Sequence, residues 1–217
     1  MWKNPNDELA DICDIIFIAV KPQIIDLVLD NIKGRTEGKC IVSIAAGVSV
    51  SHIKERLGND TRIIRVLPNT PMLVLKGATV IANPENIDKE HLDLVVSIFK
   101  AAGEVEFLDE SLINNVIPVS SSSPAFFFRM IRAMAHAGEE NGVDYETSLK
   151  LAVATMHGAA HILEKSGKTP DELIAQVSSP GGTTVAALTA FDEYGYEKIV
   201  ETAFERCIKR AEELGGK

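Results

Sequence analysis

The stretch most able to carry chemistry is Ser178-Ser179-Pro180-Gly181-Gly182-Thr183-Thr184, between helical-looking runs at Asp171 to Val177 and Val185 to Phe191. Pro180 presets φ for a turn or a helix start, and two glycines permit positive φ and close approach of a ligand. Two threonines then place hydroxyls where a helix begins, and the free N–H groups of a helix N-terminus attract anions. The stretch reads either as a nest for a carboxylate or phosphate, or as a helix-to-helix turn with an ordinary Ser/Thr cap.

The other candidates are weaker. Ser120-Ser121-Ser122-Ser123-Pro124 is either a flexible linker or a helix N-terminus lined with hydroxyls. Lys21 stands at a strand end; its neighbours do not desolvate it strongly, which favours an anionic group or solvent over a Schiff base. His157 and His161 have a spacing that could hold a metal, yet no Glu stands beside His157 and no third ligand is apparent, so no metal is expected. There is no G-x-S-x-G elbow and no close carboxylate pair. A chain without an evident nucleophile or acid–base pair suits a reaction in which a bound cofactor does the chemistry and the protein positions the reactants.

These residues are carried by two kinds of segment. Asp14 to Val20, Cys40 to Ile44, Arg62 to Leu67, Ala78 to Ala82 and Glu104 to Leu108 read as strands. Helical stretches alternate with them, around Ile24 to Ile32, Ser51 to Leu57 and Asp88 to Phe99. The expectation is a mostly parallel α/β sheet, in which ligands bind beyond the carboxyl ends of the strands. Three of those ends are built from small or special residues: Ala19-Val20-Lys21-Pro22, Ala45-Ala46-Gly47 and Pro68-Asn69-Thr70-Pro71. They leave room for a flat ligand, although Ala and Gly also simply permit tight turns.

After Leu108 the strand signals stop. Asp109 to Val119 reads as a transition, and helices are expected at Ala125 to Glu140, Asp144 to Lys165 and Glu197 to Leu214. Apolar residues cover most of the circumference of the second of these, which predicts burial on nearly all sides. A helical region of this size has limited volume to bury so much apolar surface, and a symmetric dimer is the economical solution.

Composition bounds the rest. The 217 residues are 46% apolar and 24% charged, which suits a globular chain with a sizeable core. A net charge of −9 argues against nucleic-acid and anionic-membrane partners. No apolar run reaches transmembrane length, and no apolar h-region follows the first residues. Cys13, Cys40 and Cys207 are odd in number and lie in apolar stretches, so buried free thiols and a cytoplasmic location are expected.

The motifs Ala19-Val20-Lys21-Pro22-Gln23, Ser43-Ile44-Ala45-Ala46-Gly47-Val48, Arg65-Val66-Leu67-Pro68-Asn69-Thr70-Pro71, Ser122-Ser123-Pro124-Ala125 and Ser179-Pro180-Gly181-Gly182-Thr183-Thr184 occur in an order that resembles the pyrroline-5-carboxylate reductases, over essentially the whole chain. The resemblance implies a Rossmann-type dinucleotide-binding domain over 1–109, followed by an all-α dimerisation and substrate-binding domain over 110–217. It implies reduction of 1-pyrroline-5-carboxylate to L-proline with NADPH or NADH, by a homodimer that often assembles into larger rings. The cofactor-binding residues it implies are Asn6, Ala19, Val20, Lys21, Pro22, Ala45, Ala46 and Gly47, with Asn69 joining them at the third strand end. The implied substrate residues are Ser122, Ser179, Gly181, Gly182, Thr183 and Thr184, with the Thr184 hydroxyl facing the ring nitrogen as the catalytic group.

The sequence departs from the family pattern in three places. No G-x-G-x-x-G follows a strand, so the Rossmann-type domain reads as N-terminally incomplete and the chain as a poor catalyst alone. The serine loop has Ser121 where the family usually has glycine, and Phe126 where it has tyrosine. Two rival readings follow: a catalytically impaired, oligomerising remnant, and a related hydroxy-acid dehydrogenase. The second is ranked last because Phe126-Phe127-Phe128-Arg129 supplies no lysine or histidine base after Pro124.

Overall fold

The apolar runs read as strands form a single five-stranded sheet in a computed structural model that describes residues 5–214. In chain order the elements are α1 (Pro5–Ile12), β1 (Ile15–Ile18), α2 (Ile25–Ile32), β2 (Cys40–Ser43), α3 (Val50–Leu57), β3 (Arg62–Leu67), β4 (Gly77–Ala82), α4 (Lys89–Lys100), β5 (Gly103–Leu108) and α5 (Ile113–Ser120). Then follow α6 (Ser123–Glu140), α7 (Tyr145–Ser166), α8 (Pro170–Val177), α9 (Thr183–Glu193) and α10 (Tyr196–Leu214). Short 3₁₀ turns fill Pro22–Ile24, Thr70–Val74 and Glu110–Leu112. Two compact units result: Met1–Pro124 with Phe204–Lys217, and Ala125–Ala203.

In the first unit the strand order is β1-β2-β3-β4-β5. β1, β2 and β3 run parallel, β4 runs antiparallel to β3, and β5 is parallel to β4. The reversal follows from the connections: β3 reaches β4 through one short 3₁₀ segment, whereas parallel neighbours need a longer crossover such as the one through α4. Among the described residues nothing pairs with the outer edge of β1.

Burial explains the continuous apolar runs. Ile16, Ile18 and Ile41 pack with Leu29, Ile32 and Ile53 of α2 and α3. Cys40, Val42, Ile64 and Ile81 pack with Val95 and Phe99 of α4. A third cluster joins Leu67, Val80 and Ala82 to Ile113, Ile117 and Ala211. That cluster carries α5 and the end of α10 with the sheet, whereas the strand signals alone place a boundary after residue 109.

The expected transition from Asp109 to Val119 is instead largely helical. Two asparagines and Pro118 hide the helix in the sequence, since proline lacks the N–H that the Asn114 carbonyl would accept. Burial of Ile113, Ile117 and Pro118 overrides that weak propensity. The serine run is a helix junction rather than a flexible linker: α5 ends on Ser120 and α6 begins on Ser123.

In the second unit, α6 and α7 approach closely at Gly138, where a Cβ would lie 2.3 Å from Ser148 Oγ. Asp144 caps α7 by accepting a hydrogen bond from the Thr147 amide at 2.9 Å. A capping box of Thr169 and Glu172 starts α8. The expectation that α7 is buried on nearly all sides does not hold within one chain, where Leu151 and Ile162 are 59% and 56% exposed. Of the three thiols, all free, Cys40 is buried, while Cys13 and Cys207 are partly exposed.

Candidate functional site

The three special strand ends lie on neighbouring parallel strands and are in register. Ile18 is level with Ser43, and Ser43 with Arg65. Counting on from that level, Pro22, Gly47 and Asn69 are equally far along their strands. Ala19 and Ala46 are exposed, while Ala45 and Gly47 are buried, Gly47 with φ 78°. A residue with a Cβ is strained at that φ, so the tight turn after β2 depends on this glycine. Lys21 continues the β1 chain in an extended conformation and leads into the Pro22–Ile24 turn. These ends present backbone and small side chains where an open α/β sheet binds its ligand, so they suit the flat rings of a dinucleotide. Asn6 lies in α1, partly buried.

Asn69 is placed differently from its neighbours in that set. Its Oδ1 accepts from the Ala78 amide at 2.9 Å, and its Nδ2 donates to the Ser120 carbonyl at 3.0 Å. Ser122 lies nearby in the chain junction, its Oγ 3.4 Å from Cys207 Sγ.

The glycine-threonine stretch lies in the helical unit. α8 ends at Val177 and α9 begins at Thr183. Gly181 takes φ 73°, and the Gly182 amide donates to the Ser179 carbonyl at 2.8 Å. Gly182 is itself the N-cap and makes no side-chain cap bond. The ordinary Ser/Thr cap is thereby ruled out. The first amides of an α-helix have no partner within it, and among the described residues no side-chain cap bond is made at Gly182, so these N–H groups are of the kind that can meet an anion. A Cβ on Gly182 would lie 2.9 Å from the Ser179 carbonyl oxygen, so this position needs glycine. Thr184 is half-buried in the first turn and Thr183 is exposed.

Three features escape sequence reasoning. Arg65, on β3, is 5% exposed and pairs with Glu110 at 3.2 Å, while Glu110 also accepts from the Val50 amide at the start of α3 at 2.7 Å. Desolvation by burial lowers the Arg65 pKa from its ordinary value, and Glu110 opposes that shift. Its only signal in the sequence is a lone charge inside an apolar strand run. Ser178 Oγ is buried with no hydrogen-bond partner among the described residues. The Cys207–Ser122 contact joins residues 85 apart and leaves no sequence signal. Burial pushes the Cys40 thiol up to about 11, so it stays protonated and is no nucleophile. His161 lies 3.5 Å from Glu164, and among the described residues no group of three or more His, Cys, Asp or Glu is arranged to hold a metal.

Sheet and helices together define a Rossmann-type α/β unit linked to an all-α region. Residues 110–214 match the model of the pyrroline-5-carboxylate reductase dimerisation domain. Residues 2–47 match a model described as NADP oxidoreductase, coenzyme F420-dependent. A pyrroline-5-carboxylate reductase of Corynebacterium melassecola is 40% identical over 97% of this chain and 79% of its own length. The enzyme of that name from Escherichia coli K12 is 39% identical over 95% of this chain and 77% of its own. The crystal structure of a Plasmodium falciparum pyrroline carboxylate reductase with NADP bound superposes with a TM-score of 0.93 at 31% identity, covering 98% of this chain and 81% of that one. The chain belongs to the pyrroline-5-carboxylate reductase family. Relatives that bear an enzyme's name over nearly the whole chain do not favour the reading as an impaired remnant. No helix among the described residues is long and apolar enough to cross a membrane.

Proposed function

We propose that the chain reduces 1-pyrroline-5-carboxylate to L-proline with NADPH or NADH, the last step of proline biosynthesis. The observation that carries this reading is the start of α9, a helix N-terminus that no side chain caps, in a chain of this family. The amides beyond Gly182 bind the substrate carboxylate, with Ser179, Gly181, Gly182 and Thr183 shaping the cradle; Ser122 is assigned to substrate separately, by its match to the family's serine motif. Such charge-assisted bonds suit a carboxylate and orient the ring. The Thr184 hydroxyl hydrogen-bonds the ring nitrogen and steadies it as the C=N carbon gains hydride and the nitrogen becomes an amine. A protonated cyclic imine is already electrophilic, so the protein's part is placement more than acid catalysis.

Bound nicotinamide would supply the hydride. Asn6, the Ala19-Val20-Lys21-Pro22 end and the Ala45-Ala46-Gly47 end hold the dinucleotide, within a cofactor domain taken as 1–109, and 110–217 forms the dimerisation and substrate domain. A second copy covers the apolar helical faces, and such dimers can build rings; free thiols support a cytoplasmic setting. The test follows NAD(P)H absorbance with pyrroline-5-carboxylate, and the melting temperature with L-proline added. A proline-induced rise is expected, with turnover that is slow for the chain alone. Absence of both would sink the assignment.

A further inference from the structure

The serine junction has a detailed arrangement that the reaction does not by itself require. The hydroxyls of Ser120, Ser121 and Ser123 are all held by backbone carbonyls: Ser120 donates to Val116 at 3.4 Å, Ser121 to Pro68 at 3.4 Å, and Ser123 to Val119 at 2.7 Å. The Ser121 and Ser122 amides both donate to the Ile117 carbonyl at 2.9 Å. The Ser122 hydroxyl instead meets a thiol, Cys207, which is a weak partner that a ligand oxygen can displace. Within the junction, the Ser122 hydroxyl, the one assigned to substrate, is the one that meets no backbone carbonyl in these bonds.

Asn69 ties this junction to the sheet. Its acceptor oxygen holds the second residue of β4, Ala78, and its donor nitrogen holds the last residue of α5, Ser120. No other neutral side chain of this size offers a donor and an acceptor at that spacing. We propose that Asn69 is a positioning residue for the reaction: its side-chain amide is engaged by Ala78 and Ser120, and it couples the strand-end floor under the dinucleotide to the turn that presents Ser122. This rests on the reading of Ser122 as a substrate residue. The Ser121 bond to Pro68 is a second stitch between the same two segments, so the coupling is a small network and not one bond.

The test uses Asn69→Asp and Asn69→Ala in the full chain. Aspartate is nearly isosteric; it keeps the acceptor for Ala78 but sets a lone pair and a charge against the Ser120 carbonyl. Hydrogen exchange should quicken across residues 117–124 in Asn69→Asp while 76–80 stays protected, and should quicken in both segments in Asn69→Ala. NADPH affinity, read by fluorescence titration, should stay within about twofold, while kcat/KM for pyrroline-5-carboxylate falls about tenfold, the scale of one hydrogen bond. A cofactor affinity weakened about tenfold with unchanged exchange would make Asn69 a cofactor ligand and overturn the proposal. Unchanged exchange with unchanged affinity would overturn it too. Should the wild-type chain fail to turn over, the exchange pattern still decides the tie between Asn69 and the serine junction, separately from the activity.

Discussion

In the sheet unit, Ile16, Ile18, Ile41, Val42 and Ile64 are each no more than 4% exposed, and helices cover both faces around them. In the unit Ala125–Ala203, the buried apolar residues among those described are Ala135 and Ala152, while Leu151, Ile162 and Phe128 stand 59%, 56% and 66% exposed. One unit holds a core of its own. The other carries apolar faces that a single copy leaves in water, which fits the dimerisation domain that its sequence matches. The difference also separates the proposed sites: strand ends on the unit with its own core, a helix terminus without a side-chain cap on the other.

The hardest test of this contrast places charge on the exposed helical face. The double variant Leu151→Glu, Ile162→Glu should lose the dimer, seen by sedimentation, and the helical unit should melt far below the sheet unit. An unchanged dimer and a single unchanged transition would break the comparison. Next in size is Glu110→Ala, which leaves the buried Arg65 without its counter-charge, with only the Asn114 side-chain carbonyl still accepting from it, and the Val50 amide without its acceptor. Breaking a buried pair costs roughly 3–5 kcal/mol, and the lower end applies because the Glu110 side chain is 36% exposed. Denaturant unfolding should show a loss of about 3 kcal/mol in the sheet transition and little change in the helical one.

Thr184→Ala sharpens the division of labour. Catalytic efficiency should fall about 10- to 100-fold through loss of one hydrogen bond to a charged group, with dinucleotide affinity nearly intact. Equal loss of both would make Thr184 structural. The smallest effect is acid sensitivity of the helical unit. The Thr147 amide holds the Asp144 carboxyl below its usual range, and the Thr169 amide does the same for Glu172. A depressed carboxyl pKa contributes stability that is fully present above the ordinary carboxylate range and is lost as pH falls through the depressed value. Helicity of α7 and α8 should therefore decline in acid before the sheet responds. Asp144→Asn, still an N-cap, should flatten part of that profile in circular dichroism titrations.

Much of the fold was legible because the signals are local. Apolar runs marked the buried strands, most clearly Ile15 to Ile18, and even the alternating Glu104 to Leu108 stretch read as a strand; the helical spacings around Ile24 to Ile32 and Ser51 to Leu57 marked α2 and α3. The helix α5 was not legible, since Asn114, Asn115 and Pro118 each argue against a helix that burial alone sustains. The candidate anion site was half legible: its residue types showed, but whether a Ser/Thr side chain caps the helix turned on Gly182 being the N-cap.

By itself the sequence determined the alternation of strands and helices, the small-residue strand ends and the Pro-Gly-Gly-Thr-Thr turn, because each depends on propensity, periodicity or φ at consecutive positions. Only the tertiary structure decided the reversal at β4, the burial of Arg65 against Glu110, and the bond between Asn69 and Ser120. Those depend on which distant segments meet, and a contact between residues 51 apart has no periodicity to announce it.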